Sequence, residues 1–238
     1  GAPAARAHSF FNMEGVPMRS ASIVECAREV RIGRLSLPGD LALPDQAEAL
    51  IVFAHGSGSS RMSPRNRAVA LALNEHGMAT LLFDLLSPVE ERDRGNVFDI
   101  PMLATRLIEA VHWIDRQPNL TGMPVGLFGA STGAAAAIVA AADLGDRVGA
   151  VVSRGGRPDL AAQALQRVTA PTLLIVGGLD DVVIELNRQA FATLRCPKAF
   201  EIVPGATHLF PEPGTLEHVI KLAGAWFATH LIPHPTEA

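Results

Sequence analysis

The sequence has few cysteines, no excess of basic residues and no long apolar run. The two cysteines, Cys26 and Cys196, can form neither a disulfide framework nor a four-ligand zinc site, so we expect two buried free thiols. A formal net charge of −4 argues against a protein that binds nucleic acid through phosphate contacts. No apolar run reaches the roughly 18 residues of a membrane span, and the first residues lack the apolar stretch of a signal peptide. We therefore expect a cytoplasmic protein that binds neither nucleic acid nor a membrane.

Length and composition favour a single folded domain. Hydrophobic residues make up 48% of the chain and charged residues 18%, which excludes a disordered, charge-driven polymer. A chain of 238 residues suits one α/β domain, because such folds often reach about 250 residues undivided. We expect an irregular segment over residues 1–25 and one domain over residues 26–238.

Short apolar runs alternate with longer amphipathic segments. The apolar runs are typical of strands buried on both faces of a parallel sheet and lie at 49–55, 79–85, 124–130, 148–154, 171–177 and 199–205. The helical patterns lie at 64–76, 102–117, 132–142, 184–195 and 215–230. This alternation predicts a doubly wound α/β fold with a mostly parallel β-sheet flanked by helices. Segment 28–43 is expected to form an antiparallel hairpin around Pro38-Gly39.

The segment Gly129-Ala130-Ser131-Thr132-Gly133 matches the pattern G-x-S-x-G. The pattern alone is a weak signal, but here it follows a predicted strand and precedes an alanine-rich helix, which is the setting of a nucleophile elbow. Glycines on both sides of the serine suit a tight turn with a strained central residue. The alternative is an ordinary turn in which Ser131 only caps the helix.

A serine nucleophile needs a base, and the base needs an orienting carboxylate. Asp180 and His208 each follow a predicted strand, so both lie at the sheet edge where sites of α/β folds gather. The chain order serine, aspartate, histidine is that of α/β hydrolases. His208 alone could be a partly buried surface histidine. Asp181 is the competing acid, and we expect it to be a turn or helix-start residue.

The small-residue loop His55-Gly56-Ser57-Gly58-Ser59-Ser60 follows another predicted strand. Such a loop can direct a backbone N–H group toward a developing oxyanion, and the residue after the nucleophile supplies a second one. We assign these donors to Ser57 and Thr132. A phosphate-binding glycine loop is the alternative, but neither common glycine-rich phosphate pattern is present here.

At HGSGSS, FGASTGAAAA, VGGLDD and PGATHLF, the chain resembles the α/β-hydrolase superfamily, within it the dienelactone-hydrolase-like branch. The likeness runs from about Arg31 to the C-terminal helix and implies an α/β-hydrolase fold. Dienelactone hydrolases proper use a cysteine nucleophile, whereas position 131 is serine, which favours an ordinary ester or thioester over a dienelactone. Bacterial proteins with similar HGSGSS and SRGGRPDL segments are sometimes fused to a phosphoribosyltransferase domain, for which we expect no room in this chain.

The resemblance also implies an open site. Lids in the superfamily often follow the sixth core strand, and segment 157–170 has space for one short helix and no cap domain. The charged segment 86–100 favours a solvated surface loop, with a mobile rim over the site as the second interpretation. Arg154 and Arg61 lie near the expected pocket, where they could clamp a substrate carboxylate or phosphate. Arg154 could instead hold its own loop by bonding backbone carbonyls or Asp159.

These features together predict a serine hydrolase that cleaves a carboxylic ester or thioester of a small molecule through an acyl-enzyme. The mechanism calls for no cofactor and no metal ion. The alternatives are an amidase or peptidase of the same fold, and a ligand-binding or receptor protein that retains the triad without hydrolysis.

Overall fold

A computed structural model describes residues 27–232 of the chain. Within them, eight strands form one sheet in the order β1-β2-β4-β3-β5-β6-β7-β8. The pairs β1–β2 and β2–β4 are antiparallel, and all other neighbouring strands are parallel. The predicted fold class, a doubly wound and mostly parallel sheet flanked by helices, is confirmed. The strands are β1 (Arg28–Ile32), β2 (Leu37–Ala42), β3 (Ala49–Ala54), β4 (Met78–Phe83), β5 (Val125–Ala130), β6 (Val148–Arg154), β7 (Thr172–Gly177) and β8 (Lys198–Val203).

Five α-helices connect or follow these strands within the described residues. They are α1 (Pro64–Glu75), α2 (Ile100–Asp115), α3 (Thr132–Leu144), α4 (Asp181–Thr193) and α5 (Thr215–Leu231). Each lies within a few residues of its predicted segment. Short 3₁₀ segments occur at Glu90–Arg92, Asn96–Phe98, Gly145–Arg147 and Pro158–Gln166. The last of these occupies the space where a cap would be inserted, so the described residues carry no cap domain.

Local capping explains where the first two helices begin. The Ser63 side chain accepts a hydrogen bond from the Asn66 N–H, and Pro64 occupies the first turn of α1. The Asp99 side chain accepts from the Met102 N–H in the same way at the start of α2. These contacts satisfy amide groups that have no acceptor inside the helix.

The predicted turn of the entry hairpin is wrong. Pro38 and Gly39 lie inside β2, opposite Arg31 and Val30 of β1. The chain instead turns at residues 33–36. The reason is burial, because the leucines on both sides of Pro-Gly, at positions 37 and 41, are 2% and 1% exposed and keep this stretch in the sheet.

The helices cover the two faces of the sheet unequally. α1 and α5 cover one face, where Phe227 of α5 is completely buried against Ile51 and Gly126. α2 and α3 pack together on the other face over a larger apolar cluster that includes Leu103 and Leu107. Residues on α1 and α2 thus approach the strand ends from opposite sides.

Some predictions concern residues outside the described part of the chain. The irregular segment 1–25 and Cys26 lie there, as do residues 233–238. Cys196 is described and is buried and free, as predicted. Among the helices of residues 27–232, none is long and apolar enough to cross a membrane.

The contact between α5 and the sheet gives a prediction for stability. Phe227→Ala should lower the free energy of unfolding by about 3–5 kcal/mol, because it leaves a cavity next to β3 and β5. The matched control is Leu71→Ala on α1, where the side chain is 46% exposed and the loss should be about 0.5 kcal/mol or less. Urea unfolding of both variants measures the two changes. Equal losses would contradict the packing described for α5.

Candidate active site

The candidate site lies at the carboxyl ends of the parallel strands, where the strand order reverses. β3 pairs with β4 on one side and with β5 on the other. In open α/β sheets, ligands bind in the crevice at such a switch point. Loop 55–60 follows β3 and Ser131 follows β5, so both border this crevice. Asp180 and His208 follow β7 and β8 at the same edge.

Ser131 stands between β5 and α3 in a strained backbone conformation. Its φ of 52° and ψ of −122° lie in a region that non-glycine residues rarely adopt. A Cβ at Gly129 would collide with the backbone of Ala134, and a Cβ at Gly133 would collide with the carbonyl oxygen of Ala54. The two glycines therefore let α3 pack against the ends of β3 and β5. This packing holds the turn, which has the form of a nucleophile elbow.

Asp180 and His208 meet beyond the ends of β7 and β8. His208 Nδ1 lies 2.6 Å from Asp180 Oδ2, so the ring N–H donates to the carboxylate. Asp180 is also the N-cap residue of α4, yet its side chain makes no capping hydrogen bond. The structure thus brings Asp180 to the imidazole, whereas Asp181 is the exposed first residue of α4.

The end of β6 connects the serine turn to the imidazole. The Ser131 N–H donates to the carbonyl oxygen of Arg154 at 3.3 Å. A Cβ at the next residue, Gly155, would lie 3.6 Å from Cε1 and from Nδ1 of His208. Among the hydrogen bonds of residues 27–232, none joins Ser131 Oγ to His208. Catalytic hydrogen bonds of this kind often tighten only when substrate is bound.

Loop 55–60 closely approaches Ser131. A Cβ at Gly56 would lie 3.0 Å from Ser131 Cβ. The two predicted oxyanion donors, Thr132 and Ser57, differ in whether their backbone N–H already has an acceptor. Thr132 is the first residue of α3, where the N–H has no acceptor inside the helix. The Ser57 N–H donates to Thr132 Oγ1 at 3.0 Å and therefore already has an acceptor.

His55 holds the start of this loop in its neutral form. The Leu85 N–H donates to His55 Nε2 at 3.0 Å, and His55 Nδ1 lies 3.1 Å from the Gly56 carbonyl oxygen. Because the first contact requires an unprotonated Nε2, the ring carries its proton on Nδ1. Burial lowers the pKa of His55, although the Gly56 carbonyl, Asp84 and Glu91 favour the charged form.

Arg61 is held by acidic side chains. Its Nη1 lies 2.6 Å from Asp84 Oδ2, and its Nε lies 3.6 Å from Asp40 Oδ2. The Arg61 backbone N–H also donates to Asp84 Oδ1 at 2.8 Å. These contacts attach the loop after β3 to β2 and to the end of β4. They pair Nη1 with an acid of the fold, whereas Nε is buried without a hydrogen-bond partner among residues 27–232, so substrate binding by Arg61 stays a prediction.

Arg154 has different surroundings. Its side chain is 6% exposed, and Nη2 donates to Asn66 Oδ1 of α1 at 3.2 Å. The predicted alternative partner, Asp159, pairs instead with Arg157 at 2.8 Å. Arg154 thus contacts α1 across the strand ends, and it leaves its own loop to be held by Arg157.

A narrow, partly open cleft lies beside loop 55–60. Its apolar wall is formed by Leu85, Leu86, Val97 and Leu103. Glu91 brings a negative charge to the same wall. Because Val97 and Glu91 belong to segment 86–100, part of this segment borders the cleft, while most of its residues are exposed as a surface loop. The wall lies on the α2 side of the sheet.

The described residues offer no metal cluster. Within residues 27–232, no group of three His, Cys, Asp or Glu side chains is placed to hold a metal ion. Cys196 lies away from the strand ends that carry the site, with Sγ 3.6 Å from Thr172 Oγ1 at the start of β7.

Comparison with known proteins identifies the family. Residues 41–226 match the family model described as the dienelactone hydrolase family. The chain belongs to this family. The resemblance inferred from the four sequence segments is therefore confirmed, and the chain is a hydrolase-family member with the α/β-hydrolase fold.

Two solved structures illustrate the likeness. A dienelactone hydrolase from Anabaena variabilis superposes with a TM-score of 0.85 and 51% sequence identity, covering 88% of this chain and 99% of that one. Est1E from Butyrivibrio proteoclasticus superposes with a TM-score of 0.72 at 17% identity, covering 86% of this chain and 98% of that one. The second comparison concerns the fold alone.

One curated relative is considerably longer than this chain. A protein of Mycobacterium tuberculosis named "Putative phosphoribosyl transferase" is 56% identical over 228 residues, which are 95% of this chain and 52% of that protein. The chain therefore spans about half the length of this curated relative.

Sequence analysis missed the roles of His55 and Asn66. His55 lies directly after a fully buried strand, and this position could have indicated a neutral, buried ring. Asn66 gives a weaker signal, since it is a polar residue in a first helical turn and is only 2% exposed in the structure. Their partners, Leu85 and Arg154, are distant in sequence, so local patterns do not reveal the contacts.

The contacts of His55 predict a neutral ring in mildly acidic solution. The lowered pKa means that the unfolded chain, where histidine titrates near about 6.5, takes up the proton first as pH falls. Protonation of this residue should therefore lower the free energy of unfolding as pH falls below about 6.5. In ¹⁵N-resolved NMR spectra at pH 6, the His55 ring should show a protonated Nδ1 and an unprotonated Nε2. Titration of His55 like that of free histidine would contradict the described contacts.

Proposed function

We propose that this protein is a serine hydrolase that cleaves a carboxylic ester or thioester of a small substrate through Ser131, His208 and Asp180. The observation that carries the proposal is the 2.6 Å contact between His208 Nδ1 and Asp180 Oδ2 at the edge that presents the strained Ser131 turn. A strained serine turn and a histidine hydrogen-bonded to a carboxylate, both at one strand-end crevice, are typical of nucleophilic catalysis.

The proposed reaction begins at Ser131. His208 Nε2 takes the proton of Ser131 Oγ as the oxygen attacks the substrate carbonyl, and it later gives this proton to the leaving group. Asp180 accepts the hydrogen bond from Nδ1, which fixes the tautomer and stabilises the imidazolium. Water then attacks the acyl-enzyme by the same route in reverse and releases the acid.

The proposed oxyanion donors are the backbone N–H groups of Thr132 and Ser57. The Thr132 N–H lies at the start of α3, where the helix dipole also favours negative charge. For Ser57, an oxyanion competes with Thr132 Oγ1, which accepts this N–H at 3.0 Å. The full charge of the oxyanion makes it the stronger acceptor, so the second donor is engaged as the tetrahedral intermediate forms.

The cleft beside loop 55–60 supports a small substrate, because its lining residue Gly56 lies next to Ser131. Its walls are mainly apolar, and no cap covers it within residues 27–232. We therefore expect a short acyl or alcohol group on this side. The transferase name of the mycobacterial relative is no guide to this reaction, because the shared region is the one that matches the dienelactone hydrolase family.

The nucleophile assignment gives a direct test. Ser131→Ala should reduce turnover of p-nitrophenyl acetate by about a thousandfold or more, because the residual rate rests on the oxyanion donors alone. It should also abolish labelling by a fluorophosphonate probe while leaving the melting temperature nearly unchanged. The matched control is Ser153→Ala, since Ser153 is fully buried and its Oγ has no hydrogen-bond partner among residues 27–232.

Other results would favour the competing functions. A wild-type protein that hydrolyses p-nitroanilides faster than p-nitrophenyl esters would be an amidase. A wild-type protein with neither activity would support the ligand-binding alternative. Loss of turnover on thiol alkylation would contradict the serine nucleophile, because Cys196 is buried away from the site.

The acid can be tested by a pair of neighbouring variants. Asp180→Asn should lower kcat by about 10⁴-fold, because the amide favours the wrong tautomer of His208. Asp181→Asn should leave kcat within about twofold, because Asp181 is an exposed first-turn residue of α4. Steady-state kinetics of both variants on one ester give the comparison. A larger loss for Asp181→Asn would reassign the orienting acid.

A further inference from the structure

The hydroxyl group of Thr132 is buried where the serine turn meets loop 55–60. Thr132 is 2% exposed, and its Oγ1 accepts a hydrogen bond from the Ser57 N–H at 3.0 Å. The two residues are 75 positions apart in the chain, so this contact joins the start of α3 to the loop after β3. The hydroxyl therefore lies next to both backbone N–H groups that are proposed to bind the oxyanion.

The proton of this hydroxyl has no acceptor within residues 27–232. A threonine hydroxyl has one donor and two acceptor lone pairs, and the Ser57 N–H occupies one of the lone pairs. The other three buried threonines of this part of the chain each donate to an oxygen atom of the protein, which is Asn74 Oδ1 for Thr80, the Ala170 carbonyl for Thr172 and the Glu212 carbonyl for Thr215. A buried donor without an acceptor is destabilising, so buried polar groups are usually satisfied. Thr132 is the exception, and it follows the proposed nucleophile.

The serine turn does not itself require a threonine at position 132. Its tight packing depends on Gly129 and Gly133, where a Cβ would collide with the backbone. The backbone N–H of residue 132 would be present with any side chain other than proline. Threonine is also β-branched, which lowers its preference for a helix. The acceptor side of the hydroxyl attaches loop 55–60, whereas the fold gives its donor side no function.

We propose that the Thr132 hydroxyl donates a third hydrogen bond to the oxyanion of the tetrahedral intermediate. The inference rests on the proposed function, because it adds a donor to the reaction of Ser131. An oxygen atom that accepts from the backbone N–H groups of Thr132 and Ser57 lies about 3 Å from each nitrogen. Because Oγ1 belongs to Thr132 and lies 3.0 Å from the Ser57 nitrogen, such an oxygen is its neighbour. Ser57 is exposed, which gives a substrate carbonyl access to this position.

The hydroxyl gains a partner as the reaction proceeds. Ser131 Oγ bonds to the carbonyl carbon, the π electrons move to the carbonyl oxygen, and His208 takes the Ser131 proton. The Ser57 N–H then turns from Thr132 Oγ1 to the oxyanion, which is the stronger acceptor. The Thr132 O–H donates to the same oxygen and keeps its own proton throughout. Thr132 Oγ1 competes with the oxyanion for one donor and supplies another donor in return.

Replacing Thr132 by valine tests the third donor, because valine has nearly the same shape but no hydroxyl. Thr132→Val should lower kcat for p-nitrophenyl acetate by about tenfold or more, because the oxyanion loses a donor that was already in place. KM should stay within about twofold, since acylation and deacylation both pass through an oxyanion and slow together. Thr132→Ser keeps the hydroxyl and should retain kcat within about threefold.

The matched control is Thr172→Val. It also removes the hydroxyl of a buried threonine, but at the start of β7, which is the opposite end of the strand from the site. Because its hydroxyl donates to the Ala170 carbonyl, this variant should lose some thermal stability and keep both kcat and KM.

A trifluoromethyl ketone gives a readout that does not depend on turnover. Ser131 Oγ adds to the carbonyl of 1,1,1-trifluorobutan-2-one and forms a hemiketal oxyanion that resembles the tetrahedral intermediate. Thr132→Val should raise the dissociation constant of this adduct, measured by ¹⁹F NMR, by the same factor as it lowers kcat/KM. Thr132→Ala, which removes the hydroxyl without adding a methyl group, should act in the same direction. Thr132→Ser and Thr172→Val should bind the ketone like the wild-type protein.

A hydroxyl that only holds loop 55–60 would give different results. Thr132→Val would then free the Ser57 N–H for the oxyanion, and an unchanged or higher kcat would overturn the third donor. Equal losses of kcat in Thr132→Val and Thr132→Ser, with a lower melting temperature and unchanged ketone affinity, would indicate a packing defect and would also overturn it. A wild-type protein that hydrolyses no ester and forms no ketone adduct would overturn both proposals. Turnover that is lost in Ser131→Ala but kept in Thr132→Val would overturn the third donor alone.

Discussion

The site depends on the close packing of α3 against the ends of β3 and β5. This packing is possible because Gly129 and Gly133 lack side chains where Ala134 and Ala54 approach. It imposes a positive φ on Ser131, a strain of about 1–3 kcal/mol for such a residue. Burial of the alanine-rich face of α3 offsets the strain, since most of these alanines are completely buried. The position of the serine is thus determined by the core and is independent of the surface loops.

Two further attachments complete the site around this fixed serine. A neutral His55 joins the loop after β3 to Leu85, which brings the backbone of Ser57 to the start of α3. The end of β6 contacts both the serine turn and His208. Each attachment uses backbone atoms at strand ends, so the sheet register controls the relative positions of Ser57, Ser131 and His208. The side chains then differ by face, with apolar groups toward α2 and the Arg154 guanidinium toward α1.

Much of the fold and of the candidate triad could be predicted from local sequence. Continuous apolar runs marked the buried strands, and the rule that sites lie at their carboxyl ends selected Ser131, Asp180 and His208. The entry hairpin was misplaced because Pro-Gly is a strong local turn signal, while the burial of its neighbouring leucines is a tertiary effect. Local sequence also did not distinguish Arg61 from Arg154, because their different surroundings are a tertiary effect. Their difference lies in distant partners, an aspartate after β4 in one case and an asparagine in α1 in the other.

The position of Asp180 has a consequence for the evolution of such a protein. Aspartate is among the best N-cap residues, and a capping side chain stabilises a helix by about 1 kcal/mol. At the start of α4, however, the carboxylate turns to His208 and leaves the first helical turn uncapped. In the proposed reaction, turnover and stability therefore compete for the same side chain. Replacing His208 frees Asp180 to cap α4, so drift toward an inactive relative can increase the stability of the fold while every strand and helix is retained.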